Sequence, residues 1–396
     1  MRYVGTTIRG IRTPIIKEKD DLAKIVAESI LIASENDGFK IRNNDVIGIT
    51  EAVCAIAESN FVTVDQIATD IKKKFPNGDI GLLFPTPVSR NRFAPFLKGI
   101  ARGSNKITMQ LSFPDDEVGN KLFPEELLDK YNLNYNDVLN EAEYKKYFSD
   151  CIHLFTGINY VEYFKDLVEA ENCEIEFIFA NDAKEILKYT SDILVCTVHT
   201  REKTKKMILN DGGKTVYKLD EIMNESVDSS GFHPLYGLLG SNCSSEERLK
   251  LLPKDGDALV NKVQKLIKDA TGKTVQVMIF ADGAFKDPVC GIWELADPVV
   301  SPAYTSGLEG TPNEIKLKYI ADNKYADLAG DELKEALKNE IRAKDNNLKG
   351  KNASLGTTPR RLTDLIGSLC DLTSGSGDKG TPVVHISGYF DNMADD

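Results

Sequence analysis

The chain of 396 residues carries one tryptophan, Trp293, and four histidines. The histidines, His153, His199, His233 and His385, form no HxxxH or HxH pair. The seven cysteines, Cys54, Cys151, Cys173, Cys196, Cys243, Cys290 and Cys370, form no CxxC pair. A zinc site is therefore not expected. An odd, dispersed set of this kind reads as reduced thiols that pack as small hydrophobes. No apolar run reaches the ~18 residues that span a bilayer. The start of the chain, Met1 to Gly5, lacks the apolar stretch of a signal peptide. A cytoplasmic protein is expected. Clustered Lys and Arg are missing too: 49 basic residues face 61 acidic ones, for a net charge of -12. That balance argues against nucleic-acid and membrane partners, and leaves room for a local basic pocket that holds an anion.

Hydrophobic residues make up 41% and charged residues 28%, which is ordinary globular usage. The length predicts two or three domains. No internal repeat is visible.

Strand and helix signals alternate from the start. Arg12 to Ile16 reads as a short extended piece, and Asp20 as the cap of a helix. Leu22, Ile25, Val26, Ser29, Ile30 and Ala33 share one face of that helix. Val46 to Thr50 reads as a buried strand. From Phe61 to Ser230, Pro and Gly clusters separate helix-like stretches (Pro124 to Lys130, Asn140 to Phe148) from strand-like ones (Ile175 to Phe179, Ile193 to Thr197). This alternation predicts βα units. Asp257 then caps a helix that ends at Gly272. Val275 to Ala281 is a near-continuous apolar run, the pattern of a strand buried on both faces. Lys334 to Lys351 reads as a charged helix running into a loop, Leu362 to Leu372 as an apolar helix, and Pro382 to Ser387 as a closing strand.

Four places can carry chemistry. The first is Thr373-Ser374-Gly375-Ser376-Gly377-Asp378-Lys379-Gly380-Thr381-Pro382. Its three glycines permit close backbone approach and positive φ. Successive amides in such a turn make an anion nest, and Ser374, Ser376, Lys379 and Thr381 add donors and charge. The order is helix, Gly turn, strand, the reverse of a P-loop or Rossmann turn. On composition alone the segment reads equally as a surface loop. The second is Asp282, which follows the apolar strand, with Asp287 five residues on. A carboxylate at a strand's carboxyl end suits Mg²⁺ or Mn²⁺, and Asp282-Gly283 also reads as a plain turn. The third is Gly237-Leu238-Leu239-Gly240-Ser241-Asn242, a polar pair after a flexible turn, or an ordinary loop. The fourth is the Pro-flanked Ser89-Arg90-Asn91-Arg92-Phe93, either a bidentate anion grip or an exposed loop.

In order along the chain, these segments resemble one family. Gly10 to Glu18 with Asp20-Asp21-Leu22, then Asn44 to Glu51, Gly237 to Asn242, Leu251 to Asp257, Thr271-Gly272-Lys273, the strand into Asp282, and Gly375 to Val384 are similar to the coenzyme F-420 γ-glutamyl ligases. The resemblance covers about half of the chain, both ends. It implies a mixed α/β fold, a GTP-dependent amide ligase, Mg²⁺ or Mn²⁺ beside the nucleotide, and a homodimer. It also implies that a small-molecule carboxylate is joined to L-glutamate or another amine. By position, Arg12, Thr13, Pro14 and Ile15 would line the nucleotide site. Asn242 would touch GTP, Asp282 would hold metal with Asp287 beside it, and Gly375 through Thr381 would wrap the phosphates. The ligase-like domain would be discontinuous, residues 1–60 and 231–396, with 61–230 an inserted α/β region.

The chain departs from the family pattern at four positions. Leu239 stands where the pattern has a metal-binding Asp, Gly283 where it usually has Thr, and Ala52 and Ile56 where it has lysines. Leucine cannot ligate a cation. The alternative to an active ligase is a nucleotide- or metabolite-binding protein of the same fold without catalysis.

Overall fold

The computed structural model describes residues 3–395, except 85–89, 116–120, 149–150, 153–156, 282–300, 355–359 and 376–377; of residues 90–93 it gives the backbone. The described chain is mixed α/β, as expected, and forms three sheets.

A five-stranded sheet contains β1 (Thr7–Ile11), β2 (Val46–Thr50), β12 (Gln276–Phe280), β13 (Ala303–Tyr304) and β14 (Val383–Ser387). Their order is β1-β14-β2-β12-β13. β2 and β12 run parallel, and β14 runs antiparallel to both β2 and β1. Side chains alternate across the pleat. Val277 and Ile279 pack with Val26 and Ile30 of α1 (Leu22–Asn36) and with Val260, Val263 and Ile267 of α9 (Gly256–Thr271). Met278 and Phe280 face the other way, toward Ile366 and Cys370 of α12 (Leu362–Thr373). Both faces are covered, so β12 is apolar from Val277 to Phe280. Gly48 lets α12 sit close, because a Cβ there would lie 2.4 Å from the Cys370 sulfur.

α2 (Glu51–Ala57) follows β2 and leads to a three-stranded sheet. In it, β11 (Arg248–Lys250) pairs with both β10 (Asn242–Ser245) and β3 (Phe61–Thr63). α3 (Val64–Lys74) comes next, held at its start by a reciprocal Thr63–Gln66 capping box.

The third sheet is drawn from within 79–218. It contains β4 (Asp79–Phe84), β5 (Lys106–Leu111), β6 (Leu139–Asn140), β7 (Glu174–Phe179), β8 (Asp192–Val195) and β9 (Thr215–Lys218), in the order β6-β7-β5-β4-β8-β9. All are parallel except the short β6, as the βα alternation predicts. One face packs α4 (Arg90–Arg102) and α7 (Tyr160–Glu169), with α5 (Glu126–Tyr131) and α6 (Glu141–Phe148) at the same core. The other packs α8 (Arg201–Asn210) and a short 3₁₀ turn at Ala183–Lys188. The first of these cores also includes Val62, Leu238, Leu239, Leu249 and Leu251. α10 (Leu317–Lys324) and α11 (Gly330–Ala343) complete the described elements. No described helix is long and apolar enough to cross a membrane.

The structure moves several boundaries. The first strand is Thr7–Ile11, not Arg12–Ile16. Ile11 already pairs with Val383, the first residue of β14, and Pro14 has no amide to extend a ladder. Asp21, not Asp20, caps α1 by accepting from the Lys24 amide; Asp20 accepts from Lys17 instead. Asp255, not Asp257, is the N-cap of α9, and Asp257 sits in its first turn, where a carboxylate suits the dipole. Gly272 ends that helix in the left-handed region, as expected. The charged helix is α11, ending at Ala343. Arg90 and Arg92 lie on α4 rather than in a loop. The burial of Phe96, Leu97, Ile100 and Ala101 drives that helix despite Pro95.

Candidate functional site

Strand directions bring four connections to one edge of the five-stranded sheet. β2 and β12 end there, β14 begins there, and β1 ends there. Ile11 is level with Val383, Val383 with Ile49, and Thr50 with Phe280. The Thr50 amide donates to Pro382 O at 3.0 Å. Ala281, the residue before Asp282, therefore stands two strand spacings from Thr381, about 10 Å. Ligands gather at such carboxyl edges because the loops leaving parallel strands diverge there.

The Gly turn is closed at its base. Gly375 and Thr381 form an isolated antiparallel bridge, with the Thr381 amide donating to Gly375 O at 3.1 Å. Gly380 has φ +63°, so a side chain there would be strained. A Cβ on Gly10 would lie 3.1 Å from Thr381, so β1 passes against the turn at van der Waals distance. Beside them, against α1, lies a groove of about 750 Å³ lined by Arg12, Thr13, Pro14, Asp37, Lys379 and Thr381, among others. The Thr381 hydroxyl is buried without a hydrogen-bond partner. Arg12 and Lys379 are both exposed. The groove thus offers two cations and a hydroxyl beside one carboxylate, Asp37, a set that suits an anion.

The structure brings together Arg12, Thr13 and Pro14 with Lys379 and Thr381. Ile15 points to solvent, 87% exposed. Asp378 and Gly380 are exposed on the same turn. Ser376, Gly377, Asp282 and Asp287 lie outside the described residues, as do Ser89 and Gly283. Asn242 stands on β10 in the three-stranded sheet, outside the groove lining. The turn before it packs a core: Leu238 and Leu239 are buried, and a Cβ on Gly240 would meet Leu252 at 2.4 Å.

Glu58 is a carboxylate that sequence reasoning missed. It follows α2 and accepts the amides of Lys254 at 2.9 Å and Asp255 at 3.3 Å, immediately before α9. A Cβ on Gly256, the first residue of α9, would touch Ala303 and Ile279, at the carboxyl end of β12. Burial outweighs the two amides and pushes the Glu58 carboxyl up to about 7. No spacing rule marks a single Glu at a helix end, and only the fold shows that it is desolvated. The thiols of Cys54, Cys196 and Cys370 are pushed up by burial, which removes them as nucleophiles at neutral pH.

The far edge of the same sheet has a different character. His385 Nε2 and Asp45 Oδ2 lie 2.9 Å apart, both fully buried. Asp45 also accepts the Arg42 amide, and His385 stacks on Phe39 at 4.9 Å. This network ties β14 to the approach to β2.

No curated protein matches the chain. The family model described as F420-0:Gamma-glutamyl ligase matches residues 10–388, nearly its whole length, and the chain belongs to that family.

Proposed function

We propose that the chain is a GTP- and divalent-metal-dependent amide ligase that joins L-glutamate or another amine to a small carboxylate. The observation that carries this reading is the convergence of Arg12 and Lys379 on one groove beside the closed Gly turn, level with the strand end that leads into Asp282. In this reading residues 1–60 and 231–396 form the ligase-like unit, and 61–230 are inserted into it.

A carboxylate is a poor acyl donor. Transfer of the γ-phosphoryl group of GTP to its oxygen gives an acyl phosphate, and GDP leaves. The amine then attacks the acyl carbon, the C–O bond to phosphate breaks with its electron pair leaving on phosphate, and the amine loses a proton. Arg12, Lys379, the Thr381 hydroxyl and the turn amides bind and orient the triphosphate, fixed donors that need no reorganisation as charge moves. Asp282, with Asp287, is assigned to Mg²⁺ or Mn²⁺, which would offset charge on the transferred group.

The test is phosphate release from GTP with Mn²⁺, L-glutamate and a panel of carboxylates. Release that needs all of them supports the ligase. Leu239 favours a second reading, a nucleotide-binding protein without turnover, because its side chain is packed into a core at the family's metal-ligand position. GTP-dependent thermal stabilisation with no release under any combination would establish it.

A further inference from the structure

The six-stranded sheet carries a second place where ligands gather, and it is independent of the ligase reading. Along this sheet the chain steps from β4 outward to β5 and β7, then returns to add β8 and β9 on the other side of β4. Between β4 and β8 the connections leave for opposite faces, and a crevice opens at the carboxyl ends of the strands. A cavity of about 260 Å³ lies there. Leu83 and Phe84 of β4, Gln110 of β5, Ala180 and Asn181 after β7, and Thr197 after β8 contribute to its walls.

Its polar groups are unusual in what they leave unpaired. Gln110 is 4% exposed, and its Nε2 donates to Ala180 O at 3.0 Å and Asp182 O at 2.9 Å. Those two bonds fix the amide orientation and leave Oε1 buried with no partner. Thr197 Oγ1 and Asp115 Oδ1, also on the cavity wall, are likewise buried without a hydrogen bond. Lys121 forms an ion pair with Asp115 Oδ1 at 3.8 Å, too long to be a hydrogen bond. Buried polar atoms are paired in the great majority of cases, and each exception needs a reason. Of the three exceptions around this crevice, Gln110 Oε1 and Asp115 Oδ1 accept and Thr197 Oγ1 can accept as well as donate, so together they suit an N–H donor.

The same lining includes Thr200 and Thr204 of the α8 start. α8 begins at Arg201, directly after the cavity residue Thr200, and its first-turn amides carry the positive end of the helix dipole. Arg201 itself is committed, to Asp220 and to Val198 O. The anionic group at this end is therefore met by backbone amides, a fit for one carboxylate rather than a chain of phosphates. The segment after β4 reads Pro85-Thr86-Pro87-Val88-Ser89. It lacks the glycines a pyrophosphate turn requires.

We propose that this crevice binds a free amino acid as its zwitterion, the ammonium toward Gln110, Thr197 and Asp115 and the carboxylate toward the start of α8. The experiment is thermal denaturation and calorimetry of the full chain with each of the twenty L-amino acids. Three single variants, Thr197→Val, Asp115→Asn and Lys379→Ala, are measured beside the unaltered chain, with circular dichroism to confirm their folding. At about 100 times Kd the bound amino acid raises Tm by several degrees. Thr197→Val and Asp115→Asn each weaken that affinity about tenfold or more, while Lys379→Ala leaves it unchanged. Binding lost in Lys379→Ala and kept in the other two places the amino acid in the ligase groove and overturns the proposal. So does the absence of binding by all twenty, or equal binding by the matching carboxylic acids that lack the amine.

Discussion

The two large sheets each collect loops at a carboxyl edge, and the two edges carry opposite chemistry. At the five-stranded sheet the groove presents cations, with Arg12 and Lys379 in water and the Thr381 hydroxyl buried behind them. At the six-stranded sheet the cavity is smaller and presents acceptors, with Gln110 Oε1 and Asp115 Oδ1 buried without a hydrogen bond. Parallel strand ends create the opening at the six-stranded sheet, whereas the groove at the five-stranded sheet lies where β1 ends beside the start of its antiparallel neighbour β14. The side chains set on it decide what enters: a polyanion in one, an amine-bearing molecule in the other.

The largest way to break this comparison is to remove the framework of one edge only. Asp45→Ala leaves the buried His385 Nε2 and the Arg42 amide without their partner and should cost about 3 kcal/mol of stability, read by chemical denaturation. GTP affinity of the folded fraction should stay unchanged, since the pair lies at the edge opposite the groove. Next is Asp282→Ala, which should lower metal-dependent phosphate release by about 100-fold or more with the fold kept. Unchanged release would place the metal elsewhere. Lys379→Ala should weaken GTP binding about tenfold, the worth of one charge-assisted contact, measured by calorimetry. An equal loss of amino-acid binding would show that the two edges are one site. The smallest effect is the pH profile of Glu58. Its carboxyl keeps a proton in the native state up to about 7, against an ordinary value of 4.5. The native state binds more protons in that window, so stability falls as pH rises from 4.5 to 7 and levels off above. The loss should be about 1 kcal/mol after allowing for partial exposure. Glu58→Gln should flatten it, seen as Tm against pH.

Much of the fold was legible because its strands declare their surroundings. Val46–Thr50 was bounded correctly from apolar content alone, and Gln276–Phe280 within one residue at each end, because both are covered on both faces. The parallel sheet followed from alternation. Helix starts were read less well, since neighbouring acids compete for a cap and the nearby partners decide, as Lys17 does for Asp20 and Glu58 does at Lys254. The α4 helix was hidden by its proline, whose local cost is outweighed by burial. The groove was half legible: the Gly turn and Arg12 to Pro14 stood out locally, but their meeting depends on the antiparallel register of β1 with β14. Glu58 and the Gln110 crevice were invisible, because desolvation and an unpaired acceptor are properties of the packed chain.

The most direct test of the central claim is a crystal structure of the chain with GTP and Mn²⁺. The triphosphate should lie along Gly375 to Thr381, between Arg12 and Lys379, with Mn²⁺ on the side of Asp282. A triphosphate seated in the six-stranded crevice, or a groove left empty while GTP binds elsewhere, would contradict it.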